Sequence, residues 1–197
     1  MNKDSVFSLV LIIFILIISF KLFIDSDFYN LKCIVSSVDG NKYCVREREK
    51  VQLVVDLFAR TSKKMIALVD HLKKVHGDKS NVQRLVKKFN PKKIKEILPT
   101  SKYTAYSENK GEKVAFCPTT QRENNELIDD NTLMFVALHE MSHIATLSIG
   151  HTKEFWDNFK FLIIEAVRIG IYKPVNYANK PKTYCGMRIT DNPYYEK

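Results

Sequence analysis

The chain opens on a run with no polar face. From Val6 to Phe20 (VFSLVLIIFILIISF) only two serines interrupt the apolar residues, and Leu22, Phe23 and Ile24 carry the run past Lys21. That is close to the length needed to cross a bilayer. A secretory signal would end in small residues at a cleavage site, whereas Ile24-Asp25-Ser26-Asp27 is bulky and then acidic. The run is therefore read as an uncleaved anchor over residues 1–25. A juxtamembrane linker or small strand pair follows over 26–45, with a turn at Asp39-Gly40-Asn41, and the globular part occupies 46–197.

Within that part the periodicity changes twice. Val51, Val54, Val55, Phe58, Met65, Ile66, Val69 and Leu72 recur at three- and four-residue spacings, which predicts an amphipathic helix from Arg46 to His76, ended by Gly77. Ser80-Asn81-Val82-Gln83 has the form of a capping box and opens a second helix to about Phe89. Asn90-Pro91 predicts a third short helix through Leu98, stopped by Pro99. From Lys102 to Cys117 the pattern alternates around the turn Asn109-Lys110-Gly111, as a β-hairpin does. A polar loop leads to a helix capped by Asn131 or Thr132 and running to about Ser148, before Gly150. Thr152 caps a last helix that buries Phe155, Trp156, Phe159, Leu162 and Ile163 and closes at Gly170. The tail from Ile171 onward, rich in Pro, Asn and Tyr, reads as irregular coil.

Charge sharpens this division. Fifteen Lys/Arg against six Asp/Glu between Arg46 and Glu96 account for the whole net charge of +9. The basic helices over 46–98 are thus distinct from the core over 99–197. Such a segment suits an anionic lipid surface beside the anchor, where each cation adds about 1 kcal/mol. It also permits nucleic-acid contact, but no stacking aromatics interleave the lysines. For orientation, Lys21 and Lys32 outweigh Lys3 by about one charge, which favours a cytosolic carboxyl side. Cys33, Cys44, Cys117 and Cys185 form no CxxC pair, so a zinc ribbon is excluded, and free thiols or two disulfides both remain open.

The chemistry gathers at His139-Glu140-Met141-Ser142-His143. Two histidines four apart on a helix project from one face roughly 6 Å apart and can share one zinc ion. Glu140 stands beside the first of them, placed to take a proton from a zinc-activated water as general base. A catalytic zinc needs a third protein ligand, and His151, just past the helix-stopping Gly150, is the candidate. His71 and His76 lie far along the chain on the basic helix and read as surface residues. Tyr103, Tyr106 and Tyr184 are unranked candidates to stabilise an oxyanion, and the 103–117 hairpin offers an edge strand for an extended substrate.

The HExxH run followed by Gly150-His151-Thr152-Lys153-Glu154-Phe155-Trp156 resembles the SprT/WLM-type zincins. The stretch Leu133 to Trp156, with Tyr184-Cys185-Gly186-Met187 and Thr190-Asp191-Asn192-Pro193, is similar to membrane-anchored metallopeptidase-like proteins of large nucleocytoplasmic DNA viruses, over roughly Asp39 to Tyr194. The resemblance implies His139, His143 and His151 as zinc ligands and Glu140 as base, in an α+β zincin-like domain with a small antiparallel sheet. The function so implied is peptide-bond hydrolysis of a protein or peptide substrate by a single-pass protein of a host or virion membrane. The rivals are a structural membrane or virion protein stapled by zinc, and a membrane-tethered nucleic-acid-binding protein.

Overall fold

The computed structural model describes residues 3–24, 31–98, 101–122 and 126–196. The juxtamembrane residues 25–30 and the predicted stop at Pro99 lie outside them. Helix α1 (Lys3–Ile24) is long and apolar enough to cross a membrane, and its side chains from Ser5 to Phe23 are exposed.

Residues 31–45 hold β1 (Lys32–Val35) and β2 (Lys42–Val45), an antiparallel pair closed by a Cys33–Cys44 disulfide. This pair is the margin of a five-stranded sheet rather than a free linker. The sheet runs β1-β2-β3-β5-β4, with β3 at Ile94–Glu96, β4 at Ala105–Glu108 and β5 at Lys113–Phe116. β3 lies parallel to both β2 and β5, so the sheet is mixed where the sequence suggested an antiparallel one. Parallel neighbours need a crossover, and α2 (Val51–Val75) with α3 (Ser80–Lys88) supplies it between β2 and β3.

Two local expectations fail for identifiable reasons. The predicted third helix shrinks to a 3-10 turn, Pro91–Lys93, because Ile94 to Glu96 pairs with Val114 to Phe116 and Glu96 is buried against Arg46, its Nε 2.6 Å away, and Arg48. That partner strand is remote in sequence. The capping box also fails: Lys79 is the N-cap of α3 and donates no side-chain cap, while the Gln83 side-chain amide donates to the Gly77 carbonyl at 3.0 Å.

Helix α4 (Asp130–Ala145) is buried around nearly its whole circumference, which is why it carries almost no polar stripe. Its cap is Asp129, not Asn131 or Thr132. The Asp129 carboxylate accepts from Thr132 N and from Thr132 Oγ1, both at 2.8 Å. It ends at Ala145, three residues before the expected Ser148. Helix α5 (Lys153–Arg168) packs beside it, capped by Thr152 as predicted. The tail is more ordered than coil. β6 (Lys182–Tyr184) and β7 (Met187–Ile189) form a separate hairpin, turning through Cys185 and Gly186 at φ 51° and 80°, a two-residue turn of the primed kind. A Cys117–Cys185 disulfide fastens this hairpin to the end of β5.

Candidate metal centre

The i, i+4 spacing on α4 brings the His139 and His143 rings to 5.0 Å between centroids. The connection after α4 returns His151 to both, with centroids 4.9 and 5.0 Å away. His151 Nε2 lies 3.0 Å from His139 Nε2, and one ring nitrogen of each of the three falls within 4.8 Å of the others. Phe155 and Phe159 of α5 wall the His139 ring at 4.8 and 5.2 Å. Burial first, then the neighbouring rings, pushes His139 down to about 3. Burial, His151 and Lys110 push His143 down to about 4. Both imidazoles therefore stay neutral at physiological pH, the form that offers a lone pair to a cation.

Glu140 faces the sheet side of α4 and is 5% exposed. Burial pushes its carboxyl up to about 8, although the Ser107 backbone N–H of β4 favours the charged form. Edge strand and candidate base thus meet directly. A cleft of about 1260 Å³ opens along β4, with Tyr106, Ser107, Trp156 and Met187 among its walls and the three histidines and Glu140 lining it.

The tyrosines separate here. Tyr184 is fully buried, and its hydroxyl accepts from Cys117 N at 3.0 Å and donates to the Thr104 carbonyl at 3.1 Å, so it is committed to holding the hairpin. All three tyrosines line the cleft, but only the hydroxyls of Tyr103 and Tyr106 are outside this pairing. The tail, read as coil, supplies part of the cleft lining through Met187, Ile189 and Pro193, and Met187 Sδ accepts from Thr104 Oγ1 at 3.2 Å, just before β4. His71 and His76 are not solvent-facing: their Nε2 atoms lie 2.9 and 3.3 Å from the two oxygens of the buried Glu165 carboxylate.

No family model matches the chain. Similar proteins do. They are viral. An uncharacterised protein of Acanthamoeba polyphaga mimivirus is 28% identical over 162 residues, 80% of this chain and 81% of that protein. One of Invertebrate iridescent virus 3 is 36% identical over 85 residues, 42% of this chain and 50% of its own length. One of Invertebrate iridescent virus 6 is 41% identical over 59 residues, 29% of this chain and 31% of its own. Among solved structures, the crystal structure of Wss1 from Saccharomyces cerevisiae is similar at a TM-score of 0.47 and 18% identity, over 64% of this chain and 86% of that one.

The sequence pointed to the three histidines and Glu140. It missed the groups that fix the connection carrying His151. Lys110, Arg84 and Glu154 all reach it; Lys110 was singled out only as part of a turn and Glu154 only as part of the run after Gly150, neither with this role.

Proposed function

We propose that this chain is a membrane-anchored, metal-dependent peptidase with His139, His143 and His151 as ligands and Glu140 as general base. The observation that carries the reading is the convergence of three imidazoles, two of them held neutral by burial, beside a buried carboxyl in an open cleft. An all-imidazole donor set fits zinc, and three protein ligands leave a position for a reactant. Bound zinc would supply Lewis acidity, making a water nucleophilic near neutral pH and polarising a substrate carbonyl.

The chain's own groups do the rest. A cation beside Glu140 would oppose the effect of burial and favour its carboxylate, the form able to accept a proton and later return it to the leaving amine. The edge of β4, unpaired among the described residues, would take an extended peptide by backbone pairing, with Ser107 adjacent to Glu140 fixing the register. α1 would tether this machinery to a bilayer. The two disulfides favour a domain facing an oxidising compartment, against the one-charge margin that pointed to the cytosol.

The test is metal content and peptide-library cleavage by the full chain in detergent. The reading expects one zinc per chain, retained with cleavage abolished in Glu140→Gln and largely lost in His151→Ala. Zinc binding with no cleavage by the parent chain would leave the ion as a structural staple. No zinc under metal-replete conditions would end the peptidase reading.

A further inference from the structure

The connection between α4 and α5 presents a physical puzzle. It has no regular structure, and its apolar side chains point outward: Leu147 is 70% exposed and Ile149 89%. Gly150 sits at φ 83° with open space around it. Neither Leu147 nor Ile149 is buried to anchor this segment, and only at its end does the His151 ring pack on Phe155 and Trp156, at 4.7 and 5.8 Å. Yet it delivers His151 to within 3.0 Å of His139.

Its anchorage is ionic. The Lys110 ammonium donates to three successive carbonyls, those of Thr146, Leu147 and Ser148, at 2.8, 2.6 and 3.1 Å. These follow directly on the carbonyl end of α4, where a cation is also favoured by the helix dipole. The Glu154 carboxylate, from the first turn of α5, accepts the N–H groups of Leu147 and Ser148 at 2.9 and 3.0 Å and the Ser148 hydroxyl at 2.8 Å. Arg84 of α3 ties the two halves, donating to the Ala145 carbonyl at 2.8 Å and to Glu154 at 3.3 Å. One cation therefore gathers the carbonyls of this stretch and one anion its amides.

Lys110 is held in place to do this. It occupies the β4–β5 turn at φ 53°, and the next residue, Gly111, at φ 110°, brings the turn against α3 and α4 so closely that a Cβ would meet the Lys88 carbonyl at 2.7 Å and Ile144 Cγ2 at 3.0 Å. The tip of the hairpin whose edge lines the cleft is thus also the fastening of the third histidine.

We propose that Lys110 is a positioning residue for His151: it holds the α4–α5 connection in the one arrangement that completes the three-histidine site. The inference rests on the metal-binding reading above and adds to it a residue outside the ligand set. Groups that orient ligands without touching the metal typically contribute about 10–100-fold to metal affinity.

The experiment is competitive zinc titration of the full chain in detergent, using Zn²⁺ alone as probe, with a Co²⁺ spectrum as a second readout of coordination. Lys110→Met should weaken zinc by about 10–100-fold and alter the Co²⁺ bands, and Lys110→Arg should recover much of the loss. In a His151→Ala background Lys110→Met should cost nothing further, because its effect passes through that ligand. Glu154→Gln, acting on the same connection from the other side, should weaken zinc in the same direction and carries the test alone if Lys110→Met does not fold. Unchanged affinity in Lys110→Met, or an equal loss with and without His151, would overturn the proposal while leaving the metal reading intact. A parent chain that binds no zinc would overturn both.

Discussion

Glu140→Gln in chelator-treated protein should change the sign of the protein's response to acid. His139 and His143 titrate at about 3 and about 4 in the folded chain, against 6.5 when exposed. A depressed pKa contributes stability above the unfolded value and loses it as pH falls. Between pH 8 and pH 5 protonation of the unfolded chain favours unfolding by about 2 kcal/mol for His139, and by about half that for the more exposed His143, in all about 3 kcal/mol. Glu140 acts in the opposite direction, since its folded value of about 8 stands above the unfolded 4.5. Its stabilising protonation is complete at low pH and is lost as pH rises through 8, so acidification to pH 5 gains about 4 kcal/mol. On these three groups alone the parent should be level or slightly more stable at pH 5 than at pH 8, whereas Glu140→Gln should lose about 3 kcal/mol, and it is the difference between the two responses that the comparison reads. Every other titrating group is common to the two proteins and cancels in the comparison. Denaturant unfolding followed by Trp156 fluorescence at pH 8, 6.5 and 5, with chelator present, gives both slopes. If they agree within about 1 kcal/mol, burial does not govern Glu140 and the reasoning fails.

Other outcomes follow from the same geometry. The Cys117–Cys185 bridge closes a loop of sequence separation 68 and the Cys33–Cys44 bridge one of 11. On loop entropy their paired replacement by Ala should cost about 4 and about 3 kcal/mol respectively, measured by chemical unfolding. A reversed order would show that strand context outweighs loop length. Asp129→Ala removes the α4 cap and should lower stability by about 1 kcal/mol, with calorimetry as the check. Gly111→Ala, at φ 110° and 2.7 Å from a backbone carbonyl, should cost more than about 1 kcal/mol, and nearly neutral unfolding data would contradict the close approach. Saturating zinc at about 100 times its dissociation constant should add about 3 kcal/mol to unfolding stability, and His151→Ala should abolish most of that increment.

What the sequence revealed tracks how local each determinant is. The apolar run, the amphipathic repeat of α2, the 105–116 hairpin and the HExxH spacing are all set by neighbours within a few residues, and each lies where its pattern indicated. Ile94 to Glu96 looked helical because Asn90-Pro91 is a sound helix start. A strand twenty residues later, and two arginines some fifty residues earlier, decided otherwise. His151 could be singled out by its position after Gly150, but the lysine that fastens its connection lies forty-one positions upstream in a turn that any Asn-Lys-Gly could form. The tail hid its hairpin for the same reason, since Cys185 finds its partner 68 residues away.

The bridge from Cys117 to Cys185 also bears on how this protein is handled at the bench. Thiol additives customary in purification attack the Cys117–Cys185 tie whenever the buried bridge opens to solvent, and with it the hold on Met187 and Ile189 at the cleft; thiols also compete for zinc. A screen run in such a buffer would examine a molecule with one wall loosened and, on the proposed metal reading, with thiol competing for the ion. Reductant-free preparation is therefore a condition of a meaningful assay.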